Sequence, residues 1–284
     1  MILSERYQHQ VALLIETLPL VAAEKDFALK GWTAINLFVR DMPRLSVDID
    51  LTFLPVTGRP HSLAAIDAGM KRMAAALGKG IPSVKVNEIV NRAEGIVTKL
   101  TLQRADTQIK IEVTPVLRGC LFDPEMRSVL PNVEESFGFA ETQVVSFSDL
   151  YAGKIVAALD RQHPRDLFDI RDLLANEGIS DDLRRAFIVY LISDDRAISK
   201  VCGAAAKGYP PGIRARLRGY DLRSGFAGRL IEGSRGSHRR GSWEDAEGAS
   251  GISDRIQARE AGLGSVGRRW SGRASRSPIE ANQS

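Results

Sequence analysis

The stretch RLSVDIDLTF, residues 44–53, places two aspartates among apolar and β-branched residues that favour an extended strand. Because side chains alternate between the two faces of a strand, Asp48 and Asp50 share one face and the apolar residues beside them share the other. Two carboxylates held this close repel each other unless a cation lies between them, and Mg²⁺ prefers oxygen ligands. The pattern is typical of a metal-binding pair at a strand end, and an exposed strand with a polar face carries the same pattern.

The length and composition of the chain indicate a globular protein. Its 284 residues have room for two domains, and 44% of them are hydrophobic. The most apolar run, VALLIETLPLVAA, is interrupted by Glu16 and Pro19 and falls short of the ~18 residues that span a bilayer. The first ten residues lack the apolar core of a signal peptide. We therefore expect a cytoplasmic protein with no membrane segment.

Charge is distributed unevenly along the chain. Residues 1–201 carry a net charge of −3, whereas residues 202–284 carry +7 and contain 15 of the 25 glycines. A stretch this rich in Arg, Gly and Ser cannot bury enough apolar surface to offset its ordering entropy, so we expect disorder or a shifted reading frame. Its positive charge suits only non-specific binding of RNA. The two cysteines, Cys120 and Cys202, form no metal or disulfide pattern.

A glycine separates a predicted strand, residues 27–29, from a helix that is predicted to begin at about Thr33. A glycine in this place lets the backbone approach a ligand, and the free N–H groups of a helix N-terminus attract phosphate. The turn at Gly31 is therefore a candidate phosphate-binding turn, although strand–glycine–helix joints are also common structural features. A helix preceding it, residues 4–25, is predicted from apolar residues at three- and four-residue spacing.

After a helix at residues 63–77, three strands are predicted at residues 84–90, 96–102 and 109–113. The last of them alternates apolar residues with Lys110 and Glu112. Glu112 is thus a candidate third carboxylate beside the aspartate pair. The alternative is that it lies on the solvated face of an edge strand.

Helices are predicted from Ser148 onward, with Ser148 as the cap of the first and Lys154 off its apolar stripe. Pro164 suits the first turn of the next helix, which Gly178 closes, and a further helix is predicted at residues 181–191. Aspartates recur every third position along the middle helix. They form either an ordinary charged face paired with arginines or an acidic face turned toward a site; the residues concerned are Asp166, Asp169, Asp172, Arg165 and Arg171.

Five segments of the chain, taken together and in this order, resemble the AbiEii-type nucleotidyltransferase toxins of bacterial abortive-infection and toxin–antitoxin systems. They are LKGWTAINLF, RLSVDIDL, IKIEV, DLYAGKIVAAL and RDLFDIRDL, and the resemblance covers about residues 1–200. It implies an α+β fold of the DNA polymerase β-like nucleotidyltransferase superfamily, with a mixed sheet flanked by helices. The expected parts are a nucleotidyltransferase core at 1–145, a helical part of the catalytic unit at 146–200 and the Arg/Gly/Ser-rich tail at 201–284.

The resemblance also implies a role for each matching residue. The expected metal ligands are Asp48, Asp50 and Glu112, and the expected catalytic residues are Asp48, Asp50, Lys154 and Asp169. The expected nucleotide-binding residues are Lys30, Gly31, Thr33, Arg44, Ser46, Lys154 and Asp166. Trp32 departs from the family, whose members usually have a second small residue after the glycine. An indole there could crowd the triphosphate or stack on a base.

The implied activity is Mg²⁺-dependent transfer of NMP from an NTP to an RNA acceptor, for which tRNA is expected, with a co-encoded antitoxin as a partner. An alternative is a catalytically impaired nucleotide- or protein-binding module of the same fold, which Trp32 and the tail favour. A metal-dependent nuclease would need a different order of residues, because Lys110, Ile111 and Glu112 reverse the usual nuclease motif. The glycine turn would also have no role in a nuclease.

Overall fold

The computed structural model describes residues 5–40, 47–161 and 163–193, all of which fall in one compact unit, Met1–Ser234. The described residues do not include the Arg/Gly/Ser-rich tail or two of the expected nucleotide-binding residues, Arg44 and Ser46. In chain order the described elements are α1 (Glu5–Ala22), β1 (Phe27–Lys30), α2 (Gly31–Phe38), β2 (Asp48–Phe53), α3 (Arg59–Gly80), β3 (Lys85–Asn91), β4 (Ile96–Arg104), β5 (Thr107–Arg118), β6 (Glu125–Ser128), α4 (Pro131–Phe137), β7 (Glu141–Val144), α5 (Phe147–Arg161), α6 (Pro164–Asn176) and α7 (Asp181–Ser193).

The strands form one mixed sheet in the order β3-β4-β5-β2-β1-β7-β6. The pairs β2 with β5 and β1 with β7 are parallel, and the other neighbours are antiparallel. This arrangement confirms the α+β fold with a mixed sheet flanked by helices. Because β5 lies between β4 and β2, it is not an edge strand, although Glu112 does lie on an exposed face as that alternative expected.

One face of the sheet is covered by α1 and α3, which pack mainly on β3, β4, β5 and β7. The predicted apolar stripe of α1 is buried at every position, and the strand residues beneath it alternate between buried and exposed. Helix α2 packs on β1 and β2, and α5 packs against α2, α6 and α7. Among the described residues, no helix is long and apolar enough to cross a membrane.

The structure differs from the predicted boundaries where the local pattern is weak. Helix α3 begins at Arg59 rather than at residue 63, because Pro60 occupies its first turn, where a backbone N–H is not needed. The elements β6, α4 and β7 were not predicted. They contain four, seven and four residues, too few to show a hydrophobic period.

The predicted cap of α5 is wrong by two residues. Ser146, not Ser148, precedes the helix, and its hydroxyl accepts a hydrogen bond from the backbone N–H of Asp149 at 3.0 Å. The buried Asp149 carboxylate accepts hydrogen bonds from Leu121 N at 2.6 Å and from Phe122 N at 3.0 Å. A capping residue lies just outside the helix and accepts from an N–H two or three residues later, and Ser148 is already inside the helix, which begins at Phe147.

Candidate active site

Gly31 brings the start of α2 directly against the carboxylate of Asp50. Its φ of +79° lies in the left-handed region, and a Cβ at this position would lie 2.3 Å from Asp50 Oδ2. A side chain is therefore excluded both by backbone conformation and by space. The strand–helix joint predicted a close approach at this glycine. Glycine is required here because the N-terminus of α2 and the Asp50 carboxylate lie in contact.

Thr33 has a structural contact in this turn. Its side chain is fully buried, and its hydroxyl donates a hydrogen bond to the backbone carbonyl of Asp48. This contact ties α2 to β2. The role of Thr33 in nucleotide binding stays a prediction beside this structural contact.

The aspartates of β2 lie on the same face of the strand, as the alternation predicted. Asp48 is exposed and Asp50 is half-buried. Across the sheet Asp50 is in register with Lys30 of β1 and with Glu112 of β5. Neighbouring strands lie about 4.8 Å apart, so these side chains form a row in which a lysine is followed by two adjacent carboxylates.

The pKa of the Asp50 carboxyl group is strongly raised. Burial raises its pKa to about 6, and the charges of Asp48 and Glu112 act in the same direction. The ammonium groups of Lys30 and Lys154 act in the opposite direction. Burial in turn lowers the pKa of Lys30, and Asp50 opposes that effect. Lys30 Nζ also donates a hydrogen bond to Thr114 Oγ1 at 3.4 Å.

Glu112 shares the face of the aspartates, but its carboxylate is paired with a lysine. Its Oε2 lies 3.1 Å from Lys99 Nζ of β4. Within residues 5–40, 47–161 and 163–193, no three His, Cys, Asp or Glu side chains form a group that could hold a metal ion. The structure brings Asp48 and Asp50 together as predicted and leaves Glu112 beside them rather than in a three-carboxylate cluster.

The pair of carboxylates on β2, Asp48 and Asp50, suits a hard divalent cation. Asp48 and Asp50 present carboxylate oxygens on one side of β2, and like charge together with burial raises the pKa of Asp50. A divalent cation between the two carboxylates would offset both effects.

Lys154 of α5 is buried among the carboxylates of α6. Its Nζ lies 3.8 Å from Asp166 Oδ1 and 4.0 Å from Asp169 Oδ2. Burial lowers the pKa of Lys154 to about 8, and the charges of Asp169, Asp166 and Asp50 oppose that effect. The lysine thus links α6 electrostatically to Asp50 of β2, which is far away in sequence.

The aspartates of α6 do not share one environment. Asp166 and Asp169 are 2% and 7% exposed and face Lys154, and Asp166 also pairs with Arg161 Nε at 3.0 Å. Asp172 instead pairs at the surface with Arg171, its Oδ1 lying 2.6 Å from Nη2. The charged-face interpretation therefore describes Asp172, whereas Asp166 and Asp169 are turned inward toward Lys154.

Trp32, the departure from the family pattern, lies over the lysine. Lys154 Nζ is 3.9 Å from the centroid of the indole, which is a cation–π geometry. The half-buried indole therefore covers the ammonium between the glycine turn and α5.

Sequence reasoning missed a contact at the opposite end of α2. Arg40 Nε donates a hydrogen bond to the hydroxyl of the buried Tyr151 at 3.1 Å, and Arg40 Nη2 lies 2.5 Å from Glu177 Oε2. Tyr151 lies three residues before Lys154 on α5, and the sequence alone shows that the two residues are neighbours on one side of this helix. Its partner is 111 positions away, and no local pattern indicates that pairing.

Comparison with known proteins places the chain in a family. Residues 12–240 match the family described as nucleotidyl transferase AbiEii toxin, type IV toxin–antitoxin system, and this match extends beyond residue 200 into the Arg/Gly/Ser-rich segment. Among solved structures, MenT4, a nucleotidyltransferase toxin from Mycobacterium tuberculosis, is similar over 75% of this chain and 73% of its own, with a TM-score of 0.47 and 15% sequence identity. No curated protein matches the chain significantly. The chain belongs to the AbiEii family of nucleotidyltransferase toxins of type IV toxin–antitoxin systems.

Proposed function

We propose that this nucleotidyltransferase uses Mg²⁺ to transfer NMP from an NTP to a hydroxyl of an RNA, and that the RNA is a tRNA. The observation that supports the proposal most strongly is the convergence of three separate elements. The carboxylates of Asp48 and Asp50 on β2, the turn at Gly31 and the ammonium of Lys154 on α5 act on one another although they come from distant parts of the chain.

The residues divide into ligands and cations in this proposal. Asp48 and Asp50 would hold Mg²⁺, which aligns a triphosphate and lowers the pKa of an attacking hydroxyl when bound. Glu112 supplies a third carboxylate for the metal on the same face, and one of these three carboxylates accepts the proton of that hydroxyl. The backbone N–H groups at the start of α2 bind phosphate, as helix N-termini do.

The cations of the site stabilise the charge that develops on the leaving pyrophosphate. Among the described residues, the ammonium groups of Lys30 and Lys154 provide the positive charge for this stabilisation. Asp166 and Asp169 hold the Lys154 ammonium in place and favour its protonated form. By resemblance to the family, Arg44 and Ser46 add phosphate contacts from the segment before β2.

Membership of a type IV toxin–antitoxin family supports an antitoxin as a partner. We propose that the protein acts in the cytoplasm, where NTPs and tRNA are present, and that a co-encoded antitoxin relieves its effect. Coexpression of the neighbouring gene should restore growth of cells that express this chain. Growth that stays arrested would contradict this pairing.

The activity can be tested by incubating the full chain with total tRNA, MgCl₂ and each labelled NTP in turn. We expect labelled tRNA with at least one NTP, and none with the Asp48→Ala variant. Nucleotide that is bound by the parent chain without any labelled RNA would instead support a binding module. The Trp32 indole over Lys154 is the observation that favours this second candidate.

Growth of the host provides an independent readout. If transfer causes toxicity, Asp48→Ala should relieve growth arrest at an expression level matched to the parent by immunoblot. Equal toxicity of the two proteins would argue that metal-dependent catalysis is not its cause.

A further inference from the structure

The face of the sheet that carries Asp48 and Asp50 extends over β5, β4 and β3 as an open polar surface. On β4 and β5 the residues of this face are exposed or half-exposed, whereas the alternate residues are buried against α1 and α3. Strand β3 is exposed along most of its length. The carboxylates therefore lie at one side of a surface that is three strands wide.

The strand register arranges this surface in rows that lead away from the aspartates. Asp48 is followed by Lys110, Thr101 and Asn87 on successive strands. Asp50 is followed by Glu112, Lys99 and Ile89. A third row consists of Gln108, Gln103 and Lys85. We name these nine residues on β3, β4 and β5 the open face.

The charge of the open face is positive. It carries Lys85, Lys99 and Lys110 and one carboxylate, that of Glu112, which is paired with Lys99. Given the spacing of neighbouring strands, the backbones of Lys110, Lys99 and Lys85 lie about 5, 10 and 14 Å from β2, in that order. Each strand of the open face thus carries one lysine, and the three lysines lie in different rows, so their positive charge is spread over the face that an RNA backbone would cross.

The composition of the open face favours nucleic acid over protein. The core of a protein interface is rich in aromatic and other apolar side chains. The open face has one apolar residue, Ile89, among amides, a hydroxyl and lysines. Its polar side chains can donate hydrogen bonds to phosphate and sugar oxygens, as in other nucleic-acid interfaces.

We propose that the open face binds the phosphate backbone of the acceptor RNA and directs its terminal hydroxyl toward Asp48 and Asp50. The proposal deepens the proposed function, on which it rests for the identity of the acceptor. Lys110, next to Asp48 in register, contacts the phosphate closest to the reacting end. Lys99 and Lys85 contact phosphates farther along the strand.

The test is equilibrium binding of total tRNA by the full chain in chelator, at NaCl concentrations from about 0.05 to 0.3 M. The test variant is Lys85→Gln/Lys99→Gln/Lys110→Gln. The control is Lys25→Gln/Lys71→Gln/Lys79→Gln, which removes the same charge from exposed lysines outside the open face. Both variants keep every arginine of residues 202–284, so non-specific binding by that segment is common to them.

We expect the test variant to bind tRNA at least about tenfold more weakly, and its log–log salt slope to fall by roughly 2, since each lost phosphate contact contributes about 0.7–0.9. The control should bind as the parent does. Binding of NTP, measured separately, should be equal in all three proteins. Equal tRNA affinity of the test variant and the parent would overturn the proposal, as would competition by polyglutamate at the same charge concentration as effective as that by tRNA.

The outcome separates this proposal from the proposed function. If the parent shows no nucleotidyl transfer but the test variant still loses tRNA binding, the proposed function fails and the open face stands. If the parent transfers nucleotide and the test variant binds tRNA normally, the open face fails alone. Equal melting temperatures of the three proteins establish that the exposed substitutions leave the fold intact.

Discussion

For Asp50, stability and the proposed role in metal binding favour opposite protonation states of the carboxyl group. Its pKa is raised to about 6, so the folded state favours the protonated carboxyl and is destabilised by the charged one. Asp50→Asn mimics the neutral form. At pH 7.5 in chelator we expect it to raise the free energy of unfolding by about 2 kcal/mol, while it abolishes transfer. Chemical denaturation and the labelled-NTP assay measure the two effects.

The gain from Asp50→Asn should depend on pH in a defined direction. Between about pH 4 and pH 6 the folded parent holds a proton on Asp50 that the unfolded chain has lost, so its stability falls as the pH rises. The advantage of the variant should therefore disappear as the pH is lowered through 6 toward 4. Asp48→Asn, at an exposed position, is the control that loses transfer with little change in stability. A variant no more stable than the parent at pH 7.5 would contradict this account.

Lys154 is the shared cation of two buried carboxylates. Lys154→Met leaves Asp166 and Asp169 without it, and we expect a loss of about 3 kcal/mol in unfolding free energy together with loss of transfer. Because Asp169→Asn removes one of those charges, the double variant should be less destabilised than the sum of the two single variants by about 1 kcal/mol. Strict additivity in urea denaturation would show that the pair does not interact.

At the scale of elements, α5 depends on a cap that also joins it to the segment between β5 and β6. Asp149→Ala removes acceptors for the N–H groups of Leu121 and Phe122 and the partner of the Ser146 hydroxyl. We expect a cost of about 3 kcal/mol, because these groups are buried or half-buried. Ser148→Ala, two residues inside the helix, is the matched control and should change stability by no more than about 0.5 kcal/mol. A larger effect at Ser148 would reverse the assignment of the cap.

At the scale of the whole molecule, α2 holds the sheet and the helices α5 and α6 together at two points. Trp32 contacts Lys154 near its start, and Arg40 contacts Tyr151 and Glu177 beyond its end. The distance between the glycine turn and the helix lysine depends on both contacts.

Tyr151→Phe tests the second of these points, since it removes only a hydroxyl from a buried ring. We expect about 1 kcal/mol lower stability, and a several-fold lower kcat/KM for the NTP because Lys154 is less well positioned. Binding of tRNA in chelator should not change. Arg40→Met combined with Tyr151→Phe should cost no more activity than Arg40→Met alone, and an additive loss would show that the two residues act separately.

Much of the site was predictable because it depends on local geometry. Strand alternation alone places Asp48 and Asp50 on one face, and the strand–glycine–helix joint indicates the turn at Gly31. The apolar period of α1 predicts its buried stripe. The five-segment pattern identified the family before any contact was known, and the family match confirms it.

The order of residues alone specifies which side chains share a face, because covalent geometry repeats every two residues in a strand and every 3.6 in a helix. Which of these faces meet depends on the packing of the folded chain. Strand pairing placed Glu112 beside Asp50 and paired its carboxylate with the Lys99 ammonium. Helix packing buried Asp169 and left Asp172 at the surface. The same packing set Lys154 beneath Trp32. These contacts join residues from distant parts of the chain, and they form through packing that no local period encodes.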